Sequence, residues 1–349
     1  MNGQGNIYIA NLESGALIKA LTTGAIVDPS GKNRPNAMSN PAVIDVDKNG
    51  TADYIYAGDL YGNMWVFDIT DSNTSNWGNK KLGKAPLFTA TSRTSKPTGS
   101  AETAGNYSQP ITTQPKISFD KANDRLLIAF GTGQYIENTD NSVTDQPTQT
   151  FYVIRDKYST SSVIDSERGT AKGNSYLHLV KQKILKEELD KNNNLKRHLT
   201  ARELDWDTAN GFFVDLVNTE HDDLNNDGER QVTDSVIVDN KVFFTTVLPN
   251  GNDCEPGGSS WFMVLDLLTG TSWQKGTIKD DPATTVDESK DTSETTSNAK
   301  YDKIATNTVF IKDVNGTVYV TTTYSNGTTE TVILQSGSIL GRVSWRQLL

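Results

Sequence analysis

The chain predicts an all-β fold of β-propeller type, and three observations carry that expectation. Short runs rich in β-branched and aromatic residues recur along almost its whole length, each bounded by Gly, Pro, Asn or Asp. One kind of turn, an aspartate or asparagine followed within a few residues by glycine, returns after several of them: Asn11 to Gly15, Asp68 onward, Asp266 to Gly270. The composition, with 27 glycines and 35% hydrophobic residues in 349, suits many short strands around a modest core. The length holds one large β domain or two ordinary ones, and an array of β-sandwiches is the alternative architecture.

The formal net charge of -10 argues against nucleic acid as the main partner, because phosphate binding needs a basic face. No apolar run reaches the 18 or more residues of a transmembrane helix. Residues 1–5 have neither the charged start nor the apolar centre of a signal peptide, and a strand follows at once, so the chain reads as a fragment of something longer. The single cysteine, Cys254, cannot form an internal disulfide.

Asn6 to Leu12 alternates, turns at Glu13-Ser14-Gly15, and returns as Ala16 to Leu21, a hairpin signal. Residues 22–41 read as loop. Tyr54 to Ala57 and Asn63 to Ile69 are strands around Gly58 to Gly62. Trp65, Phe67 and Ile69 share one face of the second and Met64 and Val66 the other, which predicts a strand buried between two neighbouring sheets. Residues 70–110 are mostly polar loop. Pro115 to Phe119, Arg125 to Phe130 and Gln149 to Ile154 are strands. Residues 177–204 fit a helical stripe and an alternation equally loosely. Gly211 to Leu216, two strands within Ser235 to Leu248, and Trp261 to Leu267 follow. Residues 278–300, almost without apolar side chains, predict a flexible insertion. Strands resume at Asn307 to Lys312, Thr317 to Tyr324, Glu330 to Leu334 and Leu340 to Trp345.

The stretch Asp45-Val46-Asp47-Lys48-Asn49-Gly50-Thr51-Ala52-Asp53 carries the most specific chemistry. Oxygen-bearing side chains stand at positions one, three, five and nine, with glycine at six. That is the ligand spacing of a calcium loop of EF-hand type, for a hard cation that takes six to eight oxygens. Asp45, Asp47 and Asn49 converge if the loop curls, the Thr51 carbonyl adds an oxygen, and Asp53 closes the shell. Position twelve, the bidentate glutamate of an EF-hand, is Tyr56 here, so the loop is a nine-residue variant that leads into a strand. A bare Asx-rich turn is the alternative. Asp223 to Gln231 repeats the pattern: Asp223, Asn225, Asp227, Glu229 and Gln231, with Gly228 at six and Asp234 at position twelve to supply the charge that Gln231 lacks. It is a second candidate calcium site.

No catalytic constellation stands out. His178, His198 and His221 have no metal-ligand spacing and no evident nucleophile. Gly131-Thr132-Gly133 lacks the Gly-Lys-Ser/Thr of a phosphate loop.

Several stretches together resemble the C-terminal propeller domain of the PilC/PilY family, the tip-associated adhesins and biogenesis factors of type IV pili. They are Asp45 to Asp53 followed by Tyr56-Ala57-Gly58-Asp59-Leu60-Tyr61-Gly62-Asn63-Met64-Trp65, then Phe130 to Tyr135, Thr150 to Ile154, Gly257 to Trp261, and Gly341 to Arg346. The resemblance covers most of residues 1–349, in order. It implies a modified, quinoprotein-like β-propeller with long loop insertions, incomplete in this fragment, with upstream blades and an N-terminal region lying outside it. It implies Ca2+ at Asp45, Asp47, Asn49, Thr51 and Asp53, a part in pilus extension and retraction, twitching motility and adhesion, and no catalysis. Pilins or minor pilins and a host-cell surface ligand are the implied partners. The implied location is the surface of a Gram-negative bacterium, at the pilus tip or outer membrane, after export through the periplasm. The Arg-Gly-Asp motif of some members is absent. A calcium-stapled structural module of an unrelated adhesin and a quinoprotein-type dehydrogenase are the competing readings; the single cysteine speaks against the second.

Overall fold

The computed structural model of the chain describes residues 4–29, 33–79, 82–92, 107–120, 125–143, 146–156, 178–189, 195–218, 227–251, 257–272, 294–314 and 318–334. These build strands almost throughout, with two short 3-10 turns at Thr74–Asn76 and Asn138–Asn141. In chain order, β1 (Asn6–Ala10) and β2 (Leu17–Thr22) form an antiparallel ribbon. β3 (Ala42–Ile44), β4 (Tyr54–Gly58), β5 (Asn63–Asp68) and β6 (Phe88–Thr89) form a four-stranded antiparallel meander, and β7 (Thr91–Ser92) pairs with β8 (Tyr107–Ser108). β9 (Lys116–Asp120), β10 (Arg125–Gly131), β11 (Thr150–Asp156), β12 (His178–Leu189), β13 (Leu195–Thr200), β14 (Ala209–Asn218), β15 (Val236–Val238), β16 (Lys241–Thr245), β17 (Leu248–Pro249), β18 (Gly258–Asp266) and β19 (Glu294–Tyr301) make one eleven-stranded sheet that curls into a half-barrel. β20 (Ala305–Lys312), β21 (Val318–Tyr324) and β22 (Thr329–Leu334) close the described chain as a three-stranded sheet.

Successive side chains of a strand point to opposite faces, and on the inner strands here both faces are buried. On β5, Trp65 and Phe67 join Ile7 and Leu21 of the ribbon, with Ile69 just beyond the strand, while Met64 and Val66 pack with Leu126, Ile128 and Phe130 of β10. The expectation of a doubly buried strand holds. On β10, Leu127 and Ala129 turn the other way, into a core with Phe151, Val153, Phe244, Trp261 and Met263. Phe243, Phe262 and Val264 face Val320 of the last sheet. One core thus lies between the four-stranded meander and β10–β11, and the next within the curl of the eleven-stranded sheet.

Within the ambiguous stretch 177–204, β12 and β13 are strands that pair antiparallel. β12 runs parallel to β14, and β13 pairs with β19, so the hairpin joins two meanders into one sheet. Of the predicted flexible insertion, 278–293 lies outside the described residues, but Glu294–Tyr301 is a strand paired with β13 and β18. Main-chain hydrogen bonds to two waiting strand edges do not require apolar side chains, which is why composition misled there. Short β6, β7 and β8 likewise sit in a stretch that reads as loop. The predicted strand Leu340 to Trp345 lies outside the described residues.

Candidate metal loop and the second acidic loop

The loop 45–53 is the turn between β3 and β4. Its base is closed where Asp53 N–H donates to the Ile44 carbonyl at 2.8 Å, one step beyond the Ile44–Tyr54 pair. Lys48 (φ 61°) and Gly50 (φ 92°) take left-handed conformations that curl the chain. The curl turns side chains inward. Asp45 accepts from Gly50 N at 2.8 Å and Asn49 N at 3.2 Å. Asp47 accepts from Asn49 N at 3.0 Å and Asn49 Nδ2 at 2.8 Å. Asn49 Oδ1 accepts from Thr51 N at 2.8 Å and from the Thr51 hydroxyl. Asp53 is buried and accepts from Val46 N at 2.7 Å.

One carboxylate oxygen from each of Asp45, Asp47 and Asp53 lies within 4.8 Å of the other two. No other such group of three occurs among the described residues. Among them, no lysine or arginine pairs with these three acids. Desolvation acts to raise the Asp45 pKa, but hydrogen bonds from the Gly50, Lys48 and Asn49 main chain and from Asp47 hold it below the ordinary carboxylate range. Oxygens on opposite sides of a calcium ion stand apart by about twice the 2.3–2.6 Å bond length, roughly 4.6–5.2 Å. The all-oxygen donor set and its spacing fit that ion.

The same hairpin position in the two following meanders is closed by the protein itself. Between β9 and β10, Arg125 lies opposite Asp120 and grips its Oδ2 with Nη2 at 2.6 Å and Nε at 3.1 Å. Between β15 and β16, Asp239 (φ 48°) and Asn240 (φ 59°) make a two-residue turn.

In the second acidic loop, Glu229, Gln231 and Asp234 have partners of their own. Asp223 and Asn225 lie outside the described residues, and Asp227 is exposed. Glu229 is buried, with its two oxygens each 2.8 Å from the Arg197 guanidinium and one 2.6 Å from the Thr246 hydroxyl. Arg197 also binds Glu187 at 2.7 Å and lies 3.9 Å from the Trp261 ring centre. Burial works against its charge, but Glu229 and then Glu187 outweigh it, so the arginine holds its proton more tightly than usual. Gln231 is fully buried, its amide donating to the Thr233 carbonyl at 2.9 Å and Ser235 Oγ at 2.8 Å. Its Oε1 lies against Gly131, only 1.9 Å from where a Cβ would stand. Asp234 accepts from Gln114 N at 2.9 Å and pairs with Lys116 at 3.3 Å. Glu229, Gln231 and Asp234 thus serve three separate partners and are not drawn to one point.

Gln231 has a counterpart that explains it. Ile111 packs on Gly58 of the preceding sheet as Gln231 packs on Gly131, and Ile111 N donates to the Asp59 carbonyl as Gln231 N donates to the Thr132 carbonyl, both at 2.9 Å. A glutamine stands in the place of an isoleucine, which single-sequence spacing cannot reveal. Of the histidines, His198 pairs with Glu188 at 2.8 Å, while His221 and Cys254 lie outside the described residues.

The model of the PilY1 beta-propeller domain matches residues 2–195. The chain belongs to that family. A type IV pilus biogenesis factor PilY1 homolog of Xylella fastidiosa is 31% identical over 278 residues, 77% of this chain and 17% of that protein. The type IV pilus biogenesis factor PilY1 of Pseudomonas aeruginosa is 26% identical over 287 residues, 77% of this chain and 23% of its own length. The chain therefore spans about a fifth of these relatives. The crystal structure of the Pseudomonas aeruginosa PilY1 C-terminal domain superposes with a TM-score of 0.69 at 22% identity, covering 96% of this chain and 67% of that one. That likeness gives the fold, a PilY1-type β-propeller of which the chain is a part. No helix among the described residues is long and apolar enough to cross a membrane.

Proposed function

We propose that this part of a PilY1-family protein is a non-catalytic calcium-binding module of the type IV pilus machinery. On this reading the loop 45–53 takes one Ca2+ through Asp45, Asp47, Asn49, the Thr51 carbonyl and Asp53. Its occupancy biases pilus extension against retraction, and with it twitching motility and surface adhesion. The carrying observation is the charge: three carboxylates gathered within 4.8 Å, with main-chain and amide donors but, among the described residues, no cationic side chain. An ion there would rigidify the loop and cancel its charge, a local change of the kind that alters a partner contact. Pilins or minor pilins, and a host-cell ligand, are the partners this reading assigns, at the pilus tip or outer membrane after export.

The 223–234 loop enters the reading only through Asp223, Asn225 and Asp227, since Glu229, Gln231 and Asp234 have other partners. Calcium titration by calorimetry tests both loops. One site in the wild type, lost in Asp45→Ala and kept in Asp227→Ala, is the expected result. A binding curve that Asp45→Ala leaves unchanged would overturn the assignment. In cells, Asp45→Ala in the parent gene is expected to impair twitching without lowering the amount of protein.

A further inference from the structure

We propose that Asn49 is a site of spontaneous covalent modification, deamidation to aspartate or isoaspartate, and that the hydrogen bonds of its own loop hold the reaction back. Asn49 is followed by Gly50, whose missing side chain leaves the main-chain nitrogen open to approach, and nothing lies within 4 Å of where a Cβ would stand. Both residues are exposed, so solvent water reaches them. In the reaction, the Gly50 nitrogen attacks Asn49 Cγ. The new C–N bond closes a five-membered succinimide, the Cγ–Nδ2 bond breaks, and ammonia leaves with the proton the Gly50 nitrogen gave up. Water then adds at either ring carbonyl, giving aspartate or isoaspartate. Water is the only co-reactant.

Every group that must move is held. The Gly50 N–H donates to Asp45 Oδ2 at 2.8 Å, which occupies the proton that has to leave and fixes the nitrogen. Asn49 Oδ1 is bound by Thr51 N at 2.8 Å, and Asn49 Nδ2 by Asp47 Oδ2 at 2.8 Å. Two of the other Asn-Gly pairs of the chain serve as internal references. Asn326–Gly327 is an exposed turn whose Asn326 Oδ1 is bound by Thr328 N at 3.1 Å and whose Gly327 N–H meets the Tyr324 carbonyl at 2.9 Å, with no carboxylate in either bond. Asn210–Gly211 is buried within β14 and reacts only if the fold opens.

The consequence rests on the calcium reading. Isoaspartate routes the main chain through the former side chain, adds a methylene to the loop and moves the fifth-position ligand, so the loop would lose its ion irreversibly. An ion bound through Asn49 and Asp45 would in turn protect Asn49.

The test is incubation of the purified chain in chelator at mildly alkaline pH, with conversion at residues 49, 210 and 326 read by peptide mass spectrometry and isoaspartyl methyltransferase labelling. Asp45→Ala is expected to convert Asn49 several-fold faster than wild type, with Asn326 unchanged and Asn210 intact; Gly50→Ala is expected to abolish conversion at 49. If Asp45→Ala opens the fold, so that Asn210 converts, Asp47→Ala carries the same comparison by freeing Nδ2. Equal rates at Asn49 in wild type and in the folded variants overturn the proposal. Parallel samples with calcium, checked for binding by calorimetry, separate the two readings. Binding without slower conversion overturns the protection. Absence of binding overturns the calcium reading and leaves the Asp45 comparison to decide the modification.

Discussion

Asp53 is buried at the base of its loop, and Asp47 is exposed at the tip. The Asp53 carboxylate accepts main-chain N–H groups of the loop it closes, whereas the Asp47 carboxylate accepts from the main chain and amide of Asn49. Removing a buried acceptor leaves the partner N–H groups unpaired, a loss of about 1–3 kcal/mol. In calcium-free buffer, Asp53→Ala should therefore lower the urea midpoint by that measure, while Asp47→Ala stays within about 0.5 kcal/mol of wild type. With calcium both should lose the stabilisation that the ion gives. Equal effects of the two substitutions without calcium would show that Asp53 has no structural part. The pKa of Asp45 is depressed in the folded chain, so the group adds stability above its unfolded value of 3.8 and loses it as pH falls through the folded value. Acid titration of calcium-free wild type against Asp45→Asn should show the difference between them closing below pH 3.8. At this scale the convergence of Asp45, Asp47 and Asp53 was legible, because their spacing is local in sequence. The partners of Glu229, Gln231 and Asp234 were not legible, because Arg197, Gly131 and Lys116 are 32, 100 and 118 residues away.

Strands and turns repeat a plan that the side chains fill differently. Three successive meanders close the same turn with an oxygen-lined loop, an Arg125–Asp120 pair and a two-residue turn. Strand positions were readable because period-2 burial on two faces leaves β-rich runs, and nearly every predicted strand in the described residues is present. The hairpin β12–β13 was not, since its lysines and glutamates mask the alternation of the few apolar side chains it buries, Leu179, Ile184 and Leu199. The glycine contacts between sheets make a second prediction. A Cβ at Gly58 would meet the branched Ile111 at Cγ2, 2.2 Å, and Cβ, 2.5 Å, whereas one at Gly131 meets first the end of the unbranched Gln231, Oε1 at 1.9 Å, and then its Cβ at 2.7 Å. Gly58→Ala should cost more than Gly131→Ala. Adding Gln231→Ala should recover part of the loss at Gly131, a coupling of about 0.5–3 kcal/mol in a double-mutant cycle. Strict additivity would mean that the two residues do not press on one another. Arg197 is the other inter-element tie. Arg197→Met strands the buried Glu229 carboxylate, and a loss of about 3–5 kcal/mol is expected in chemical denaturation.

In the molecule as a whole, separate cores lie on opposite faces of β10 and β11, so a change at one turn has a defined route and a defined limit. From the loop 45–53 the route runs through Asp53: its N–H closes β3 on β4, and its carbonyl accepts from Ile69 N at 2.9 Å. Three residues on, Tyr56 crosses to the next sheet and donates its hydroxyl to Asp156 at 2.7 Å. Burial, and then Asp156, raise the Tyr56 pKa well above 10.0, so the folded chain keeps a neutral tyrosine that the unfolded chain would ionise. The stability this gives is complete below pH 10.0 and declines above it, and Tyr56→Phe should flatten that alkaline limb. Beyond Tyr56 and Asp156 the path meets the core shared with β10 and β11, but the core against β16 and β18 faces the other way. Calcium should accordingly slow amide hydrogen exchange most at residues 44–53 and at Ile69, less at β4 and β5, and not at β16 or β18, because local opening of the loop involves only its own hydrogen bonds. Protection reaching β16 and β18 to the same degree would mean that the stack opens as one unit, and that the ion acts on global stability instead of on a single turn.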